Sequence, residues 1–220
     1  MKLLARVLLS FTGATLIAAP AAAQRFDAPP APPAGAAPNQ MIPLRDAQGR
    51  YATPNRDLSR DEASWHVRSA LNVAALGCRD AAEPETVAAY NRLLRVQRDS
   101  LAAADAGVKS LYRARNGAGW EDIHDRQMTR VYNFFAQPTA HDGFCMAARE
   151  VLARAETVEP AQFADFAAEA LPRLEAPFTD FYRAYDAYKV EFAAWQRGDM
   201  APVAMAASEV PAPQLGALVP

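Results

Sequence analysis

Three histidines, two cysteines and a scatter of carboxylates are the groups through which this chain of 220 residues could do chemistry. Glu121-Asp122-Ile123-His124 holds one Glu-x-x-His unit, which on a helix turns both side chains to one side, toward a shared metal ion. Carboxylate-bridged di-metal bundles need two such units plus two further glutamates, and there is no second unit. Glu62 and His66 stand four apart, another spacing that suits a metal, but they fall where a helix opens and acids favour the helix dipole. His141-Asp142 lies close before Cys145, and a Cys/His nucleophilic pair would need a free thiolate. The simpler reading of Asp142-Gly143 is a turn leading into a helix. No Gly-x-Ser-x-Gly, phosphate-loop, His-Glu-x-x-His or Cys-x-x-Cys-His pattern occurs. No catalytic residue is therefore assigned and no cofactor expected. Glu121 and His124 are the metal candidates.

The cysteines depend on compartment. Residues 1–23 read as a secretory signal peptide: Lys2 and Arg6 in the positive segment, an apolar run over 7–19, and Ala21-Ala22-Ala23 before Gln24. Ser10, Thr12, Gly13 and Thr15 weaken that run as a membrane span, which needs about 20 apolar residues. Cleavage would leave 197 residues at net charge −4, with no later apolar run of spanning length. The product is expected in the periplasm or outside the cell. An even pair of cysteines, Cys78 and Cys145, then favours one disulfide.

Composition narrows the classes further. Hydrophobic residues make up 51%, but 50 of them are alanine, so the larger core-filling types are about 28% of the chain. Arginine outnumbers lysine 20 to 3 at a net charge of −2, which excludes a basic nucleic-acid binder. Arg92, Arg95, Arg98, Arg113 and Arg115 read as solvated faces with acidic neighbours. Residues 24–57 carry seven prolines among alanine, glycine and asparagine and read as a disordered linker. Residues 201–220 repeat that character as a tail, which leaves 58–200 as one domain.

The periodicity of that domain is helical throughout, predicting an all-α, up-down bundle of about four core helices plus one or two C-terminal ones. Ser59 and Glu62 form a capping box, and the first helix carries Ala63, Val67, Leu71, Ala74 and Cys78 along one stripe. The second runs from Pro84 to a stop at Asn116-Gly117-Ala118-Gly119. Val87, Leu94, Leu101 and Val108 alternate with Tyr90, Gln97, Ala104 and Leu111 along a four-heptad seam. Gln97 reads as a solvated seam edge, with a buried hydrogen bond or a ligand contact as the alternatives. Two more helices follow, over Trp120 to Phe135 and from Phe144 to Ala155. Pro172 and Pro177 separate a short helix over 160–171 from a last one with Phe181, Tyr185, Tyr188, Phe192 and Trp195 on one face. With Tyr182, the tyrosines of that face make it a candidate partner surface, against core packing as the plainer account. In an up-down bundle the first helix ends where the fourth begins, which brings Cys78 to Cys145.

The run Trp65-His66-Val67-Arg68-Ser69-Ala70-Leu71-Asn72-Val73-Ala74-Ala75-Leu76-Gly77-Cys78 spans most of the first helix. With Tyr90-Asn91-Arg92-Leu93-Leu94, Tyr132-Asn133 and Gly143-Phe144-Cys145, it resembles exported alphaproteobacterial proteins of unknown function over roughly 65–155. The resemblance implies export, supports the Cys78–Cys145 pairing and brings no activity. In it Asn72, Tyr90, Asn91, Tyr132 and Asn133 are the polar positions suited to a hydrogen-bonded cluster, structural or ligand-binding.

These readings lead to an exported, non-enzymatic binding protein of the cell envelope, whose partner is an envelope protein or a small ligand. The alternative is a periplasmic enzyme or metal protein using Glu121, His124 and His141. A chaperone of the helical-cradle type would require an open arrangement of helices.

Overall fold

The computed structural model describes residues 28–198, so the expected signal peptide and the 201–220 tail lie outside the described residues. Six α-helices form the bundle: α1 (Arg60–Gly77), α2 (Glu83–Val96), α3 (Arg98–Asn116), α4 (Trp120–Phe135), α5 (His141–Ala155) and α6 (Phe163–Arg197). A single antiparallel bridge, Arg45 to Tyr51, is the one β pairing among the described residues.

The capping box opens α1 as expected: Ser59 Oγ accepts from Glu62 N–H, and the Glu62 carboxylate accepts from Ser59 N–H. This helix packs against each of the other five. Its stripe of Val67, Ala70, Leu71 and Ala74 is fully buried, and so is its other flank, where Ser64 and Ser69 turn their hydroxyls back to the carbonyls of Arg60 and Trp65. Small residues let neighbours approach closely. At Gly107 of α3 an added Cβ would stand 1.9 Å from an Asp61 carboxylate oxygen of α1.

The seam expected as one helix is two. Gln97 leaves helical geometry (φ −96°, ψ 19°), and the chain kinks there between α2 and α3. At the break its side chain is wholly buried and donates from Nε2 to the Val158 carbonyl at 2.7 Å, while its Oε1 has no partner among the described residues. Gln97 is thus a buried hydrogen bond and not a solvated edge. Beyond α3, Gly117 and Gly119 take the positive φ values that reverse the chain into α4. His141, Asp142 and Gly143 form the first turn of α5 in place of the expected turn ahead of it.

The opposite correction applies at the C-terminal end, where the two expected helices are one of 35 residues containing Pro172 and Pro177. A proline removes the bond to the carbonyl four residues back. Those carbonyls belong to Ala168 and Arg173, both exposed positions that water can serve. On the other side Leu171, Leu174 and Phe178 are buried. Each proline costs about 3 kcal/mol, and each buried Leu or Phe contributes about 1.5–3 kcal/mol, so packing holds the helix together.

Cys78 caps α1 and bonds to Cys145 of α5 with Cα atoms 5.8 Å apart, at the end of the bundle the topology required. Closing a loop of 67 residues stabilises the fold by about 4 kcal/mol on the chain-entropy account.

The expected linker is ordered from residue 28 onward and lies along the bundle as a strap. Its proline content forbids helix without forbidding packing. Asp46 nucleates a turn by accepting from the N–H groups of Gln48 and Arg50, and Gly49 completes it at φ 76°. Tyr51 follows, 6% exposed, its ring edge-on to Tyr182 of α6 at 5.2 Å. Ala36, Ile42 and Leu58 pack onto the same core.

Candidate functional site

Between this strap and the faces of α4 and α6 lies a groove of about 750 Å³. The strap supplies Met41, Ile42, Pro43, Leu44 and Thr53. The bundle supplies Gln127, Arg130 and Phe134 from α4, Gln137 just beyond it, and Tyr182 from α6. The Tyr182 hydroxyl donates to Gln137 Oε1 at 2.9 Å, and Gln137 Nε2 donates to the Phe134 carbonyl at 2.8 Å. That chain fixes the polar end of the groove, and burial pushes the Tyr182 phenol above its ordinary range, keeping it a donor. Met41 and Leu44 at the strap are 87% and 83% exposed, an apolar edge left in water.

Beside it, on the other face of the strap, a smaller recess of about 330 Å³ is lined by Arg45, Arg50, Arg56 and Arg183 with Thr53, Thr179 and Glu175. The arginines are balanced within the structure. Asp46 takes Arg50 at 3.1 Å and Arg56 at 2.5 Å, Asp186 takes Arg45 at 3.1 Å, and Asp180 takes Arg183. Thr53 donates to Glu175, tying the strap to α6. Burial and the bond to Asp186 hold the Tyr51 phenol above its usual range. This recess is a set of internal ion pairs that secures the strap.

The residues singled out from the sequence fall in separate places. Tyr182 walls the groove and is 1% exposed. Tyr185 and Tyr188 continue from Phe181 in a ladder of ring contacts through Phe192 to Trp195, with centroids 5.7–6.2 Å apart. The aromatic face is therefore core at Phe181 and Tyr182 and half-exposed beyond them. Tyr90 of α2 is buried. Burial raises its pKa, while the nearby Arg68 guanidinium and Asn72 amide act against that. Arg68 also donates to the Tyr132 hydroxyl at 2.7 Å. Asn72, Tyr90 and Tyr132 thus gather around Arg68, whereas Asn91 and Asn133 are exposed. Gln97 is sealed at the α2–α3 kink.

The chemistry-bearing groups of the enzyme reading do not share one cleft. Glu121 is exposed, while His124 packs edge-on to Tyr112 at 5.2 Å with its Nε2 buried and unpartnered among the described residues. His66 is in the core, bonded to Asn55 at 2.9 Å. His141 lies against the disulfide, and Cys78, His141 and Cys145 are the one metal-sized cluster of such groups among the described residues. Of the basic positions, Arg92 pairs with Glu156, Arg115 with Glu62, and Arg113 lies over the Trp120 ring.

Sequence reasoning missed the strap side of the groove, Met41, Ile42, Leu44 and their anchor Tyr51. The available signal was a Met-Ile-Pro-Leu run followed by an Asp-x-x-Gly turn and the single aromatic residue between 28 and 57. Compared with family models, with curated proteins and with solved structures, the chain returns no match in any of the three.

Proposed function

We propose that this chain is an exported, non-enzymatic binding protein of the cell envelope, and that an apolar segment of a partner protein seats in the groove between the strap, α4 and α6. The observation carrying this reading is the pair Met41 and Leu44, large apolar side chains held in water along an open groove with Phe134 and Tyr182 in its wall. An ordered backbone that presents apolar groups to solvent gains from covering them. The few polar groups, Gln127, Arg130 and Gln137, suit hydrogen bonds to an extended backbone. The charged segment and apolar run of 1–23 support export, and a disulfide accords with an oxidising compartment. The separation of His124 from His141 weighs toward binding and away from acid–base catalysis.

A photo-crosslinking residue placed at Leu44, with another at Leu76 as an exposed apolar control, tests this in intact cells. A discrete protein adduct from position 44 and none from 76 is the expected result. Equal yields at both positions, no adduct, or only a low-mass adduct at 44 would overturn the partner-segment reading.

A further inference from the structure

Three ligand-bearing side chains converge where α1 ends and α5 begins. Cys145 Sγ lies 3.8 Å from His141 Nε2, and Cys78 Sγ, Cys145 Sγ and a ring nitrogen of His141 all fall within 4.8 Å of one another. Both sulfurs are buried, while the His141 side chain, 44% exposed, opens the cluster to solvent. The Asp142 carboxylate stands 3.2 Å from His141 Nδ1, the arrangement in which a carboxylate orients a metal-ligating imidazole and leaves Nε2 for the ion. In the disulfide-bonded chain Nε2 itself donates to the Gly77 carbonyl at 3.1 Å, a hydrogen bond that metal binding must break, its proton passing to the Nδ1 side of the ring.

We propose that reduction of the Cys78–Cys145 disulfide converts this cluster into a mononuclear Zn²⁺ site, with Cys78 Sγ, Cys145 Sγ and His141 Nε2 as ligands and water in the fourth position. Tetrahedral zinc with bonds of about 2.3 Å to sulfur and about 2.0 Å to nitrogen sets its ligand atoms about 3.5–3.8 Å apart. The edge between sulfur and nitrogen is the shorter of these, about 3.5 Å, and Cys145 Sγ stands 3.8 Å from His141 Nε2, close to it. The sulfurs must part and the His141 ring must turn from the Gly77 carbonyl toward them, movements of side chains on Cα atoms that already stand 5.8 Å apart at the two cysteines. A dithiol reductant supplies two electrons and two protons: its own sulfurs join as a disulfide while the protein's S–S bond breaks to give two thiols. Zn²⁺ then displaces both thiol protons to solvent, leaving two thiolates and a neutral imidazole on the ion. The complex carries no net charge, which a half-buried position tolerates. A small-molecule disulfide reverses the sequence: it takes two electrons from the two thiolates and two protons from solvent, leaves as two thiols, and the protein's S–S bond re-forms as Zn²⁺ is released, so the same residues clamp the bundle in one redox state and hold a metal in the other. This inference stands apart from the groove and its partner.

The full chain, reduced with a phosphine under anaerobic conditions and freed of reductant, is titrated with Co²⁺ and then Zn²⁺, with far-ultraviolet circular dichroism recorded on each sample. One Co²⁺ per chain is expected, with tetrahedral visible bands and a thiolate-to-cobalt charge-transfer band that Zn²⁺ abolishes. The oxidised chain is expected to show neither. His141→Ala should weaken Zn²⁺ binding at least tenfold, and His141→Cys should restore it with charge-transfer intensity raised by about half, for three thiolates in place of two. Absence of the charge-transfer band overturns the proposal. So does equal affinity in the wild type and His141→Ala, including the case of a reduced chain that has lost its helices and binds through thiolates alone.

Discussion

The phenol of Tyr51 donates a 2.8 Å hydrogen bond to Asp186 of α6, 135 residues further along the chain, while accepting one of 2.6 Å from Arg45. One side chain thereby ties the strap to the longest helix, with its ring packed on Tyr182 and its oxygen in an ion-paired network. Tyr51→Ala is expected to destabilise the fold by about 2–4 kcal/mol through the lost ring and the cavity it leaves. Tyr51→Phe should cost about 1 kcal/mol or less, because Arg45 and Asp186 remain paired with each other at 3.1 Å. Urea denaturation reads both values. Limited proteolysis should cut between residues 28 and 57 much faster in Tyr51→Ala than in Tyr51→Phe. Equal cutting in the two variants would remove Tyr51 as the anchor.

His66 makes stability depend on pH. It is 1% exposed, and burial pushes its pKa down to about 4, only partly offset by the Glu62 carboxylate. In the unfolded chain an imidazole protonates near 6.5. Between those values the unfolded state binds a proton that the folded state refuses, so stability is full above about pH 6.5 and falls as pH drops toward 4. The loss across that window is about 3 kcal/mol. Asp46 and Asp186, whose pKa values are lowered by their arginine and lysine partners against the effect of burial, respond below that window. Denaturant titrations at pH 7.5, 5.5 and 4.5 should show the decline in the wild type and a flatter profile in His66→Gln. An equal slope in both would place the effect elsewhere.

Gln97 interrupts what would otherwise be one helix, and its amide both fills the kink and serves the Val158 carbonyl. Gln97→Ala opens a cavity and orphans that carbonyl, for an expected loss of about 2–3 kcal/mol. Gln97→Glu also removes the donor and buries a charge, and it should lower the melting temperature more at pH 8 than at pH 5. The comparison by thermal denaturation isolates the charge. No difference between the two pH values would mean that position 97 reaches water.

The same residue shows what the chain made legible and what it did not. Helices over 60–77, 120–135 and 141–155 carry apolar spacing and clear end signals, and they emerge within a few residues of expectation. The Cys78–Cys145 clamp was legible because helix order alone put both cysteines at one end. Gln97 occupies a regular seam position, and nothing local distinguishes a polar group facing water from one facing a carbonyl 61 residues away. The strap failed for the same reason: Pro29 to Pro54 report only that helix is disfavoured, whereas Tyr51 packs because α6 happens to offer Tyr182 and Asp186. At the candidate site Tyr182 alone was anticipated, since the strap half of the groove exists only through those distant contacts.

Pro172 and Pro177 pose the reverse case, in which a strong local signal lost to packing. Both sit within α6, but their surroundings differ. Pro172 is exposed, whereas Pro177 lies against Gly143 of α5, with its Cβ 3.3 Å from where a glycine Cβ would stand. Pro172→Ala restores an N–H to the Ala168 carbonyl and removes no contact, so it should stabilise the chain by about 1–3 kcal/mol. Pro177→Ala regains the same kind of bond to Arg173 and keeps the Cβ nearest Gly143, but it loses the ring Cγ that also faces that residue, so its gain should be smaller. Paired denaturation curves decide the matter. Equal stabilisation by the two substitutions would show that the Pro177–Gly143 contact contributes nothing to the α5–α6 interface.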